Sequence, residues 1–65
     1  MTLEKIKEAV TSGKTVHWCN DGYSVMRDSA GRWLIVYRFK GHCIGLTWRD
    51  GVTLNGEESE FYLAP

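Results

Sequence analysis

Glycines recur along this chain at nearly even intervals, and that spacing limits the fold more than any other feature. Gly13, Gly22, Gly31, Gly41, Gly51 and Gly56 leave first intervals of 9, 9, 10 and 10 residues, filled largely by apolar and aromatic side chains. Short antiparallel strands joined by tight turns need such a spacing, because each reversal favours a residue that tolerates positive φ. The ladder therefore predicts a sheet of short strands, and it says little about chemistry.

Residues 2–12 read as the only helix. Leu3, Ile6, Ala9 and Val10 recur at helical spacing, Thr2 can cap the first turn, Glu4 favours the helix dipole, and Gly13 follows as a C-terminal stop. Such a short helix must dock through its apolar stripe. Strands are expected over about 14–19, 23–28, 32–39 and 42–48, with short ones over 52–54 and 60–63. Asn20-Asp21-Gly22 and Lys40-Gly41 read as turns, and Asp28-Ser29-Ala30-Gly31 as a type I turn closed by glycine. The segment 32–39 alternates Trp33, Ile35, Tyr37 and Phe39 with Leu34 and Val36 on the other face, so an apolar pattern on both faces predicts a central strand. Gly45, inside a strand, suggests a bulge or a ring packed across the backbone. The expected fold is α+β: one N-terminal helix packed on a four- to five-stranded, strongly twisted antiparallel meander or partial barrel, in one small domain over 1–65.

A chain of 65 residues lies near the lower limit for a core without staples. Its eight large rings suit a compact globule, and Trp18, Trp33 and Phe61 are expected inside. The formal net charge is zero, yet Gly22 to Arg49 carries Arg27, Arg32, Arg38, Lys40 and Arg49 against Asp28 alone, while Asp50, Glu57, Glu58 and Glu60 follow with no base. The absence of a charged-then-apolar leader and of any long apolar run predicts a cytosolic protein with reduced thiols and no membrane association.

His17, Cys19, His42 and Cys43 have the composition of a tetrahedral zinc set. Adjacent strand residues such as His42 and Cys43 point to opposite faces, however, and the spacing matches no usual knuckle pattern, so no metal or other cofactor is expected. The cysteines read as buried thiols, not as a disulfide. Ser24, Ser29 and Thr47 lack any nucleophile elbow, the acids look exposed rather than paired across a cleft, and so small a domain is expected to leave little pocket volume; no enzyme is indicated. Surplus rings beside cations are the composition of interfaces. Arg27, Arg32, Arg38 and Lys40, with Tyr23 and Tyr37, are the candidate partner-binding residues. Stacking rings and phosphate-tracking cations make single-stranded nucleic acid the alternative ligand, and exposed strand edges a route to a homodimer.

Residues Gly13 to Trp18, Asn20, Gly22, Tyr23, Val25 and Asp28, then Trp33 to Val36, Ile44 to Thr47, Asp50, Gly51, Leu54 to Gly56 and Phe61 form a pattern that resembles short reading frames of bacteriophages and prophages. The resemblance spans nearly the whole chain and brings no activity, cofactor or catalytic residue with it. It implies an accessory protein made in the cytoplasm of a bacterial host, of a kind that acts by binding a host or defence protein.

Overall fold

The computed structural model describes residues 1–65 as one helix and a five-stranded antiparallel sheet. Helix α1 spans Leu3–Thr11, and the strands are β1 (Val16–Trp18), β2 (Asn20–Arg27), β3 (Trp33–Tyr37), β4 (His42–Gly45) and β5 (Phe61–Leu63). A 3-10 turn over Glu58–Glu60 leads into β5. The order across the sheet is β4-β3-β2-β1-β5. The first four strands form the expected meander, but β5 returns to the far side of β1, and the sheet stays open instead of closing into a barrel.

The helix ends are set by local chemistry. Thr2 has extended backbone angles, and its Oγ1 accepts the Lys5 N–H at 3.2 Å. At the other end the Lys14 N–H donates to the Ala9 carbonyl at 2.9 Å and the Gly13 N–H to the Val10 carbonyl at 3.0 Å. That pair of bonds is a Schellman motif, which needs the left-handed φ of +87° that Gly13 supplies. Helix residues Ile6 and Ala9 join Val16, Val25, Ile35, Leu46 and Phe61 to form the core, so every strand but β4 contributes one buried side chain.

Several sequence expectations are corrected here. The helix is a residue shorter at each end than 2–12, because Thr2 and Ser12 serve as caps. Asn20-Asp21-Gly22 is not a turn: it begins β2, and the chain reverses at Cys19, whose φ is +65°. The strand expected over 32–39 stops at Tyr37, with 38–41 forming the turn; β3 is an interior strand as expected, paired with β2 and β4, while β2 is the middle one of the five. The strand expected over 42–48 stops at Gly45, and 52–54 contributes only the single Thr47–Leu54 bridge. Gly22, unlike the other ladder glycines, does not have positive φ. Its missing side chain matters for packing: a Cβ there would lie 3.1 Å from both the Tyr37 and Phe39 rings. The ring packed across a glycine, expected at Gly45, therefore occurs at Gly22.

Candidate functional site

Strand alternation and register place the aromatic residues in a line across the inner side of the sheet. Tyr23 and Tyr37 are cross-strand partners with ring centroids 4.7 Å apart. Trp18 meets Tyr23 edge-on at 5.0 Å, and Tyr37 meets Phe39 at 5.4 Å. Beside this row lies a groove of about 310 Å³ lined by Trp18, Tyr23, Ile35, Tyr37, His42, Cys43 and Ile44. This corrects the expectation that so small a chain leaves little cleft volume. Larger clefts near Trp48 (about 500 Å³) and around 52–59 (about 580 Å³) are lined mainly by polar loop residues. Only the groove has the mostly apolar lining with a single imidazole that suits an inserted side chain.

The candidate cations divide into two groups at opposite ends of β3. Five strand residues at about 3.3 Å each separate the ends, so Arg32 and Arg38 stand roughly 20 Å apart. At one end Arg27 lies over the Trp33 ring at 5.6 Å, with Lys7 at the same distance. Arg32 pairs with Asp28, Nε to Oδ2, at 2.8 Å. The Arg32 backbone N–H, then its guanidinium, and the Ala30 N–H hold the Asp28 carboxyl below its usual range. Arg27 and Arg32 thus serve the hairpin. Arg38 and Lys40, at the groove end, have no acidic partner, and the Arg38 guanidinium rests 4.8 Å over Phe39. Of the six candidate residues Tyr23 and Tyr37 line the groove, Arg38 and Lys40 stand in the turn between its Tyr37 and His42, and Arg27 and Arg32 lie at the other end of β3.

The histidines and cysteines do not converge, and no group of three or more His, Cys, Asp or Glu is placed to hold a metal ion. Two strands intervene between β1, which carries His17, and β4, which carries His42 and Cys43. His17 Nδ1 lies 2.9 Å from the Tyr23 carbonyl. Both cysteines are exposed, contrary to expectation, and both are free. Cys19 donates its thiol to Glu60 Oε2 at 3.4 Å. Loss of water around the sulfur, followed by the Glu60 contact, pushes the Cys19 thiol up, so it stays protonated near neutrality. Glu60 Oε1 accepts the Glu57 N–H at 2.8 Å, and that bond first, then the thiol, lowers the Glu60 carboxyl. The Trp18 indole contributes least to Glu60, and its buried N–H has no hydrogen bond of sound geometry.

Sequence reasoning missed Trp18 and Ile44 as groove residues. Trp18 is half-buried, packed on the core with one face left to the groove, as Trp33 is half-buried at the other end; of the three rings expected inside, only Phe61 is buried. Sequence reasoning also missed how far Phe39 and Trp48 project, at 66% and 65% exposure. The available signal was Gly22, whose partnership with the Tyr37 and Phe39 rings follows only once the β2–β3 register is known.

The fold and groove together define a small open-sheet α+β domain with a ring-lined cleft. No family model, curated protein or solved structure matches the chain. No helix is long and apolar enough to cross a membrane.

Proposed function

We propose that this is a non-enzymatic binding protein that captures an acidic, partly apolar segment of another protein in the groove between Trp18 and Ile44. The observation that carries this reading is the juxtaposition of the aromatic groove with Arg38 and Lys40. No acid occurs between Arg32 and Arg49, so cations without partners flank an apolar cleft. An apolar anchor beside complementary charge is how peptide-binding surfaces combine affinity with selection. The resemblance to short phage reading frames supports a host or defence protein as the target and the bacterial cytoplasm as the place of action.

Differential capture from bacterial lysate tests the reading. Arg38→Glu with Lys40→Glu, and separately Tyr37→Ser, should each lose the partners that the wild-type chain retains. Retention of every partner by both variants would overturn it. Exposed Phe39 and Trp48 beside Arg38, Lys40 and Arg49 favour single-stranded nucleic acid as a second reading. Phosphate contacts strengthen as salt falls, so a short oligothymidylate that fails to bind even at low salt removes that second reading.

A further inference from the structure

Trp18 walls the groove on its β1 side, and the loop that meets its nitrogen edge lies outside the groove lining. The ring meets Tyr23 edge-on at 5.0 Å and tilts against Phe61 at 6.3 Å. Its nitrogen edge abuts Gly56 and Glu60. A Cβ on Gly56 would stand 2.7 Å from Trp18 Nε1, 3.4 Å from Cε2 and 3.2 Å from Glu60 Oε1, so ring edge and carboxylate border one small space. Trp18 Nε1 is buried, and its N–H has no hydrogen-bond partner. A buried indole N–H ordinarily finds an acceptor, and the acceptor beside this one is the Glu60 carboxylate. Glu60 is itself held from three sides: Oε1 accepts the Glu57 N–H at 2.8 Å, Oε2 the Cys19 thiol at 3.4 Å, and the backbone carbonyl the Cys19 N–H at 2.9 Å. Its carboxylate cannot leave the ring edge without giving up the bond that closes the Glu58–Glu60 turn.

We propose that Gly56 and Glu60 are positioning residues for the groove, acting through Trp18. Gly56 leaves the room that the nitrogen edge occupies, and Glu60 supplies the charge that the indole N–H faces. Together they set where this wall stands against Tyr23 and Tyr37. The inference rests on the groove being the binding site. At about 310 Å³ the cleft is near the lower end for ligand sites, so little slack is left in its walls. A wall displaced by about 1 Å therefore changes which side chains it admits. A side chain at Gly56 would push the indole off this seat, and loss of the Glu60 carboxylate would leave its edge unheld.

Two readouts on the full chain test it. One is the indole N–H resonance of Trp18 with its nuclear Overhauser contacts to the Tyr23 ring. The other is affinity for an acetylated hexapeptide, Glu-Glu-Leu-Phe-Glu-Glu, as a probe of the groove. Gly56→Ala and Glu60→Ala should each shift that resonance, weaken the contacts to Tyr23 and lower peptide affinity by roughly tenfold, the scale of one misplaced anchor. Glu60→Gln keeps an oxygen for the Glu57 and Trp18 N–H groups and should hold affinity within about twofold of wild type. Gly51→Ala separates positioning from loss of stability: Gly51 has a φ of +74° but nothing within 4 Å of its Cβ position, so both signals should stay. A further check needs no disruptive variant. In the wild type the Trp18 resonance should move as Glu60 takes up its proton on acidification, and Glu60→Gln should abolish that movement although Glu57 and Glu58 remain. A wild-type resonance that ignores acidification, or a folded Gly56→Ala or Glu60→Ala variant with unchanged resonance and affinity, overturns the proposal. A wild-type chain that binds no peptide overturns the groove reading instead, and the resonance still decides the seat.

Discussion

Gly22 illustrates how one absent side chain organises this molecule. Its N–H donates to Asn20 Oδ1 at 2.8 Å and its carbonyl accepts the Arg38 N–H at 2.9 Å, so the backbone is held on both sides. The rings of Tyr37 and Phe39 then close over the Cα, where a methyl group would also lie 2.9 Å from Asn20 Oδ1. Gly22→Ala should therefore destabilise the fold by about 1–3 kcal/mol through overpacking, although its backbone φ suits alanine. The loss is measured by chemical denaturation, and a variant as stable as the wild type would show that the rings move aside freely. The residue types that turned out decisive were thus visible in the sequence, but their reasons were not. Gly22 resembled a turn glycine because Asn-Asp-Gly is turn chemistry, and only the β2–β3 pairing reveals the rings above it.

At the scale of elements, two loops depend on ionised carboxylates. Asp28 Oδ1 accepts from the Ala30 and Arg32 N–H groups in the β2–β3 turn. Asp50 accepts the Thr53 hydroxyl, then the Thr53 and Val52 N–H groups, and these bonds hold its carboxyl below the usual range. A carboxyl whose folded pKa lies below its unfolded value contributes stability above the unfolded value, about 4, and loses it as pH falls through the folded one. Stability should hold near neutrality and decline below roughly pH 4. Asp50→Asn, which keeps the Oδ1 acceptor without the charge, should flatten part of that decline. Urea midpoints taken along a pH series check this; an unchanged slope would place the acid sensitivity elsewhere. The turn from Asp28 closed by Gly31 and the helix stop at Gly13 were legible from sequence because both use local chemistry. The short β4 and the single bridge at 52–54 were not. The Leu46 N–H still donates to the Trp33 carbonyl at 3.0 Å, but 46–48 then pairs with 53–55 through the Trp48 N–H to Thr53 and Asn55 N–H to Leu46 carbonyl bonds, a change of partner that only tertiary contacts decide.

For the whole molecule, the small core sets the tolerance to change. Seven apolar residues are buried, and Leu46, outside any strand, is completely so. A domain of this size has a total stability of roughly 3–10 kcal/mol. Removing a buried leucine costs about 2–5 kcal/mol through lost transfer energy and the cavity left behind. Leu46→Ala should therefore bring the chain close to unfolding at physiological temperature, as read by thermal denaturation. A small shift in midpoint would mean that Leu54 and Ile35 collapse into the space.

What the sequence determined alone is what local physics can decide: one capped amphipathic helix, strands of period two, several of the turns, and a chain with no fixed charge excess. The tertiary structure decided everything that depends on which strands become neighbours. It divided the basic residues between two ends, gathered Trp18, Tyr23, Tyr37 and Ile44 around one groove, and added β5 outside β1. It also explains the strand that looked apolar on both faces. Trp33, Ile35 and Tyr37 turn inward, whereas Leu34 and Val36 lie on a face that one nine-residue helix, committed to the other side, cannot cover.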